Sequence, residues 1–316
     1  MNKEKCLLKG GEKVSIDTKD EGIAEILKAV DVLENIYGVV RIIDPVKNKV
    51  ISIKKSSATT IDPIEPCYGF WEKEQFCDNC VSFRAIKEND TFVKFEVVNG
   101  RIYMVTASPI VSGTNTYAVE MLNDITDKSI LEGLTGSAEA DFTGFVKNFN
   151  DLLIRDELTK LFNRRYINEK LPVEIFQSSL SKENSSLLIL DIDEFKKIND
   201  QYGHLVGDQV LRQFSHLVLG FLIDNKSWLA RYGGEEFLIY LHGMDKNAAL
   251  GIAEQIRQEI AEHSFEVDGF DERLIIQVFC SIGVCALEPG MDMTAWIACA
   301  DKNLYLAKER GGNIVY

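Results

Sequence analysis

Four carboxylates stand at the end of an apolar run or beside glycines, where they could bind a hard metal ion. The stretch LLILDID ends in Asp191 and Asp193, and the stretch RYGGEEF carries Glu235 and Glu236 directly after two glycines. Carboxylate oxygens that leave room for phosphate oxygens suit Mg²⁺ or Mn²⁺. We therefore expect a metal site where the two stretches meet. Taken alone, the carboxylates of either stretch could instead be solvated turn residues.

The glycines Gly233 and Gly234 separate the apolar stretches WLARY and EFLIYL, which predicts a β-hairpin. We expect a two-residue type I′ turn in which both glycines have positive φ. A turn without side chains lets a ligand approach closely. The sequence has no G-x-x-x-x-G-K-[ST] phosphate loop. Phosphate would therefore be held by the metal and by isolated cations such as Lys196 and Lys308.

The elements that must position these residues alternate between helices and apolar strands from Asp156 onward. The predicted strands are SSLLILDID, WLARY, EFLIYL and RLIIQVFCSIGVCAL. The predicted helices are VGDQVLRQFSHLVLGFLI, KNAALGIAEQIRQEIAEH and MTAWIACADKNLYLAKER. This order predicts an α/β (α+β) domain over residues 156–316, with helices on the faces of a sheet.

The first half of the chain predicts a smaller antiparallel sheet. After a tail at 1–22, residues 23–126 contain the β-rich runs GVVRIID, KVISIKK, VKFEVVNGRIYMVTASPIV and YAVEMLNDIT. Asn99-Gly100 inside the third run is a strong hairpin signal. A small antiparallel sheet with helices to one side is similar to a PAS sensor domain, and Asp124-Ile125-Thr126 resembles the triplet that ends many PAS domains.

Residues 127–155 are predicted to form a connecting helix. Leu131, Ala138, Phe145 and Leu152 are spaced seven apart, which is typical of a self-pairing coiled coil. Three glycines in the same stretch weaken that prediction, since each costs about 1 kcal/mol in a helix relative to alanine. A dimer stalk and a helix packed on its own domain are therefore both open.

Five ordered motifs then identify a family. They are RDELTKLFNRR at 155–165, DIDEFKKINDQYGHLVGDQVL at 191–211, RYGGEEF at 231–237, SIGV at 281–284 and ADKNLYLAKERGGN at 300–313. Over this half the chain resembles the GGDEF family of diguanylate cyclases. The resemblance implies a palm-like nucleotidyl-cyclase fold and condensation of two GTP into cyclic di-GMP with release of two pyrophosphates. Because each domain would hold one GTP, it also implies a homodimer.

The resemblance assigns metal ligation to Asp191, the backbone carbonyl of Ile192 and Glu235, with Glu236 completing a second metal site. A carboxylate beside a metal ion can take a proton from an attacking 3′-hydroxyl, and Glu235 is expected to do so. For the guanine base it implies Asp208, Asn199 and His204. A carboxylate can accept from guanine N1–H and N2–H₂ together, a pair that adenine lacks.

Alternatives exist for the base and phosphate residues. Asn199 and Asp208 could instead cap helices at the breaks around Gly203 and Gly207, and Lys196 and Lys308 could be solvated helix lysines. Their places within the motifs favour base recognition for the first pair and phosphate binding for the second.

Three positions depart from the family pattern. Gly312 stands where the last motif usually has arginine, although Arg310 could substitute, and Lys160 stands where glycine is common. Residues 224–227 do not form the R-x-x-D product-inhibition site, so feedback through it should be absent. The alternative to an active cyclase is therefore a catalytically weak or inactive module that binds GTP or cyclic di-GMP.

Composition limits the other function classes. At 316 residues and 46% hydrophobic the chain can bury the cores of two domains. Its formal charge of −14 argues against a nucleic-acid binder. No apolar run approaches the roughly 18 residues of a membrane span, and the start lacks a signal-peptide core. We expect a cytoplasmic protein without membrane insertion.

The cysteines fall into two groups. Cys280, Cys285 and Cys299 lie in apolar runs and are predicted to be small buried hydrophobes without a reactive role. Cys67, Cys77 and Cys80 lie in PCYGFWEKEQFCDNC, where a C-x-x-C spacing suits a metal ion, an iron-sulfur centre or a reversible disulfide. Buried thiols without a ligand, or a small organic ligand in this domain, are the alternatives.

Overall fold

The computed structural model describes residues 33, 36–55, 66–126, 144, 150–222, 224, 226–269 and 272–316. The chain divides into two compact units, one within Met1–Gln75 and Val81–Ala140, the other within Phe76–Cys80 and Asp141–Tyr316. The predicted tail at 1–22 and most of the predicted linker helix lie outside the described residues. Within that linker, residues 150–154 are helical.

The first unit contains a five-stranded antiparallel sheet. Its strands are β1 (Val39–Asp44), β2 (Lys49–Lys55), β3 (Phe92–Val98), β4 (Arg101–Ser112) and β5 (Asn115–Asp124), in the order β2-β1-β5-β4-β3. Helix α1 (Val81–Glu88) packs against β3, β4 and β5. Asn99 and Gly100 both have positive φ, at 52° and 71°, in the turn between β3 and β4. The predicted tight hairpin is therefore confirmed.

The second unit is built on a four-stranded sheet. Its strands are β6 (Ser185–Ile192), β7 (Trp228–Gly233), β8 (Glu236–His242) and β11 (Cys280–Ala286), in the order β11-β6-β8-β7 with all neighbours antiparallel. The helices are α2 (Arg164–Ser181), α3 (Phe195–Tyr202), α4 (His204–Leu219), α5 (Lys246–Glu262) and α6 (Met293–Glu309). Among the described helices of the whole chain, none is long and apolar enough to cross a membrane.

One predicted strand is wrong in detail. The run RLIIQVFCSIGVCAL is divided between β10 (Arg273–Gln277) and β11, with Val278 and Phe279 between them. Strand β10 pairs with β9 (Ser264–Asp268) in a separate two-stranded sheet. An unbroken apolar run does not reveal this break, because both parts have strand-like composition.

Strand β6 lies at the centre of the core and is buried along its whole length. Alternate side chains point to opposite faces of a strand. Leu188 and Leu190 therefore pack in a cluster with residues of α4 and α5, and Leu187 and Ile189 pack in another with residues of α2 and α6. The predicted sheet with helices on both faces is confirmed, and it fixes the end of β6 where Asp191 lies.

Helix α6 is held on β11 by backbone contact and by a disulfide. A Cβ added at Gly283 would lie 2.1 Å from the Ala300 carbonyl oxygen, so only glycine fits there. Cys285 and Cys299 join the same two elements, with a Cα–Cα distance of 6.0 Å. The prediction that these two cysteines are merely buried hydrophobes was wrong, because strand and helix bring them within bonding distance. Cys280 is buried, as predicted, and forms no disulfide with any described residue.

Candidate active site

Strands β6 and β8 bring the two predicted acidic stretches to the same edge of the sheet. Asp191 is directly opposite Glu236 in the strand register. The Ile192 amide donates a hydrogen bond to the Glu235 carbonyl at 3.4 Å. The residues assigned to metal binding from sequence are therefore neighbours in space.

The turn that carries Glu235 differs from the one expected. Gly234 has positive φ, at 37°, whereas Gly233 is the last residue of β7 and pairs with Glu236. The pairing shifts by one residue between Arg231 and Gly233. The predicted turn with positive φ at both glycines was wrong, because this bulge takes up the first glycine within the strand.

The Asp191 carboxylate is buried among other negative charges. It is 5% exposed. Burial, followed by the charges of Glu235 and Glu236, raises its pKa to about 6 against the opposing effect of Lys308. A divalent cation would relieve this unfavourable burial of charge, so the residues present fit a metal ion. In the described ranges, however, no three His, Cys, Asp or Glu side chains are grouped closely enough to hold an ion by themselves.

Lys308 from α6 supplies a positive charge at this point. Its Nζ lies 2.7 Å from Asp191 Oδ2, and its side chain is 43% exposed, compared with 7% for the carboxylate. The ammonium group is therefore placed at the acidic edge and can still reach solvent. This position suits the predicted contact with a nucleotide phosphate.

Asp193 has a different environment from Asp191. Its carboxylate accepts hydrogen bonds from the Ser281 hydroxyl at 2.8 Å and from the backbone amide of Asn313 at 2.7 Å. Its own amide donates to the Phe279 carbonyl at 2.9 Å. Asp193 thus joins the end of β6 to β11 and to the C-terminal segment, and these contacts indicate a structural role.

Gly312, which departs from the family pattern, lies beside the same carboxylate. Gly312 has a φ of 76°, and an added Cβ would lie 3.0 Å from Asp193 Oδ2. A side chain at this position would be strained and would press on the Asp193 carboxylate. The guanidinium of Arg310, the alternative cation considered for this position, lies 4.8 Å from the centre of the Tyr316 ring.

A cleft of about 470 Å³ lies beside the glycine turn. It is lined by Phe195, Lys196, Asn199, Asp200, His204, Asp208, Leu211, Arg231, Gly234 and Glu235. Five residues predicted from sequence to bind substrate or catalyse the reaction therefore share one cavity. Helices α3 and α4 supply its amide, imidazole and carboxylate groups, and the turn supplies Glu235.

Arg231 is a site residue that the sequence reasoning missed. Its Nε and Nη2 donate to the Gly234 carbonyl at 2.9 and 2.7 Å, and its Nη1 donates to Asp156 Oδ1 at 3.1 Å. It therefore connects the turn to Asp156, in the segment before α2. Its place in RYGGEEF was a signal, since arginine can bridge two acceptors with its planar fork.

The unusual lysine at 160 occupies a left-handed position. Lys160 has a φ of 60°, and its amide donates to the Asp156 carbonyl at 2.9 Å. The Asp156 carboxylate also accepts from the Thr159 amide at 2.8 Å. Glycine adopts this backbone conformation without strain, which explains why glycine suits the position.

The cysteines of the C-x-x-C region are all buried. Cys67, Cys77 and Cys80 are each 6% exposed, and none of them forms a disulfide with another described residue. The Cys67 carbonyl accepts a hydrogen bond from the buried Arg41 at 3.0 Å. The metal or redox role of these cysteines stays a prediction.

Comparison with known proteins gives the family. The family model for the diguanylate cyclase GGDEF domain matches residues 153–314, which is half of the chain. This chain is a GGDEF-family protein. The GGDEF domain is 38% identical over 179 residues to the response regulator PleD of Caulobacter vibrioides, a match covering 55% of this chain and 39% of PleD. The diguanylate cyclase A of Treponema denticola is 34% identical over 193 residues, covering 60% of this chain and 50% of that protein.

A solved structure matches the GGDEF domain as well. The coiled coil and GGDEF domain of DgcB from Caulobacter crescentus, in complex with c-di-GMP, aligns with a TM-score of 0.52 and 28% identity. The alignment covers 60% of this chain and 98% of that one. The palm-like α/β fold expected from sequence is thereby confirmed. The chain spans half or less of the two curated relatives.

Proposed function

We propose that this protein is a diguanylate cyclase, which condenses two GTP into cyclic di-GMP and releases two pyrophosphates. The observation that carries the proposal is the cleft in which Asn199, His204 and Asp208 face the turn with Glu235, next to the buried Asp191. In this proposal, the base site and the acidic site for triphosphate are adjacent. GTP is available in the cytoplasm, where we expect the protein to act.

The metal ligands would be Asp191, the Ile192 carbonyl and Glu235, with Glu236 available for a second ion. The support is electrostatic. Burial and two neighbouring glutamates raise the Asp191 pKa to about 6, so a bound cation would offset the unfavourable burial of negative charge there. When bound, Mg²⁺ or Mn²⁺ would stabilise the negative charge that grows on the reacting phosphate.

The protein's own residues would bind and orient the reactants. Glu235 takes the proton from the 3′-hydroxyl of one GTP. The hydroxyl oxygen forms a bond to the α-phosphorus of the other GTP. The bond from that phosphorus to the bridging oxygen breaks, and pyrophosphate leaves. The same step, repeated with the roles exchanged, closes the ring. Lys196 and Lys308 would hold the phosphates.

Guanine recognition would rest on Asp208 and Asn199. Both line the cleft, on α4 and α3, with His204 at the start of α4. An ionised Asp208 can accept from guanine N1–H and N2–H₂ together. We therefore expect selection of GTP over ATP.

Ring closure between two bound nucleotides requires two GGDEF domains facing each other, so we propose a catalytic homodimer. Leu152, in the helical segment before the domain, is 75% exposed. A large exposed hydrophobic side chain there suits pairing with a second chain. Activity should therefore rise more steeply than linearly with protein concentration until dimerisation is complete.

We also propose that the first unit is a PAS-like sensor that changes how two cyclase domains meet. Its antiparallel sheet with a helix on one face supports this. From their sequence spacing, Cys67, Cys77 and Cys80 stay candidates for a metal or redox signal; Cys67 belongs to the first unit, and Cys77 and Cys80 belong to the second. Metal analysis and an absorption spectrum of anaerobically purified protein test that role: bound metal or an iron-sulfur chromophore supports it, and a colourless, metal-free protein with unreactive thiols removes it.

The catalytic proposal is tested by incubating the full chain with GTP and Mg²⁺ and quantifying nucleotides and pyrophosphate. The expected products are cyclic di-GMP and pyrophosphate in a one-to-two ratio. Glu235→Gln should lower the rate at least about a hundredfold, as expected for loss of a general base. Glu262→Gln, which changes an exposed carboxylate at the end of α5, should leave it unchanged. GTP that binds but is not converted at high protein concentration would instead favour the non-catalytic binding module.

A further inference from the structure

Helix α4 carries a glycine whose missing side chain makes room for Asn199. An added Cβ at Gly207 would lie 2.0 Å from Asn199 Oδ1 and 3.0 Å from its Cγ, and 3.2 Å from Phe195 Cζ. Gly207 is buried. The Asn199 amide group therefore occupies the space that any other residue at 207 would fill.

Backbone hydrogen bonds join the two helices on either side of this contact. The Gly203 amide donates to the Asn199 carbonyl at 2.9 Å, and the Gly207 amide donates to the Gly203 carbonyl at 3.2 Å. Gly203 is the one residue between α3 and α4. Because both helices are tied to this short junction, an extra methyl group at 207 would be accommodated by rotation of the Asn199 side chain.

Glycine within a helix has a cost that needs a reason. It destabilises a helix interior by about 1 kcal/mol relative to alanine. Gly207 is followed directly by Asp208, and both Asp208 and Asn199 line the cleft. The absence of a side chain at Gly207 leaves space on one side of α4 for the side-chain amide of Asn199, and Asp208 presents its carboxylate to the same cavity.

We propose that Gly207 is a positioning residue for base recognition, because its lack of a side chain seats the Asn199 amide beside Asp208. This role in base recognition rests on the proposed function, since guanine is the base that the two groups would bind. The contact between Gly207 and Asn199 does not depend on that function. Substituting Gly207 should displace Asn199 while the fold is kept.

The test is a double-mutant cycle in the full chain with Gly207→Ala, Asn199→Ala and both together. The measured quantity is the dissociation constant for guanosine 5′-[α,β-methylene]triphosphate with Mg²⁺. Each single substitution should weaken binding about tenfold, as expected for loss of one hydrogen bond of an amide to the base. The double variant should bind no more weakly than Asn199→Ala alone, because the displaced group is already gone.

Gly251 provides a matched control. It lies in the interior of α5, and an added Cβ there would meet nothing within 4 Å. Gly251→Ala should raise the unfolding midpoint and leave binding of the analogue unchanged. If Gly207→Ala and Asn199→Ala weaken binding additively, Gly207 acts on the helix as a whole and the proposal is overturned.

Two further measurements separate the proposal from the proposed function. The side-chain amide signals of Asn199 in ligand-free protein should shift on Gly207→Ala, whether or not GTP binds; unmoved signals overturn the proposal. If wild-type protein fails to bind the analogue, the proposed function fails. The shift of the Asn199 signals still tests the contact between Gly207 and Asn199. If Gly207→Ala unfolds the protein, Asn199→Ala should restore folding, and failure to do so would also overturn the proposal.

Discussion

Replacing Asp191 by asparagine should stabilise the ligand-free fold while it removes activity. The pKa of Asp191 is raised from 3.8 to about 6, first by burial and then by Glu235 and Glu236. A pKa shift of about two units corresponds to about 3 kcal/mol. The free energy of unfolding is lower by this amount when the Asp191 carboxylate is ionised. Asparagine has the same side-chain shape as aspartate but carries no charge.

The sign follows from the direction of the shift. The native state binds this proton more tightly than the unfolded state, so the favourable contribution is complete below about pH 4 and is lost as pH rises through about 6. Asp191→Asn should therefore raise the free energy of unfolding by up to about 3 kcal/mol at pH 8 and by about half as much at pH 5.

Urea unfolding in the presence of EDTA measures this difference, and GTP turnover with Mg²⁺ measures the lost activity. Asp193→Asn is the matched control, since Asp193 accepts hydrogen bonds from Ser281 and Asn313; it should destabilise the fold by about 1 to 2 kcal/mol. The reasoning fails if Asp191→Asn is no more stable than wild type at pH 8, or if its gain is the same at both pH values.

Three further predictions concern residues around the site. Lys160→Gly should raise the free energy of unfolding by about 0.5 to 1 kcal/mol in urea melts, because it relieves a left-handed backbone at φ 60°, and Lys160→Ala should give no such gain. Arg231→Lys should lower turnover of GTP about tenfold or more, since lysine cannot bridge the turn carbonyl and Asp156; Asp156→Asn should add little to that loss, and additive losses would argue against a shared contact. Reduction of the Cys285–Cys299 disulfide, which closes a separation of 14 residues, should lower the free energy of unfolding by about 3 kcal/mol, and unchanged midpoints with and without dithiothreitol would contradict this.

Much of the site could be predicted because its residues lie within ordered motifs on strongly patterned elements. The short apolar run before Asp191 favours a buried strand, and the Asn99-Gly100 pair favours a tight turn; both follow from local chemistry. The shared cleft of Asn199, Asp208 and Glu235 follows from the family resemblance.

The remaining features depend on contacts between elements that sequence spacing does not encode. The Cys285–Cys299 disulfide requires the register of α6 on β11. The bulge before Gly233 depends on pairing of β7 with β8. The bridging role of Arg231 depends on Asp156 lying beside the turn. In each case a tertiary contact decides what local composition leaves open.

The most direct test is diffraction from crystals grown with Mn²⁺ and guanosine 5′-[α,β-methylene]triphosphate, with data collected for the anomalous signal of manganese. We predict a manganese peak bound by carboxylate oxygens of Asp191 and Glu235, with the guanine in the cleft beside Asp208. Manganese bound elsewhere with the cleft empty, or these two carboxylates turned away from the ion, would contradict the account.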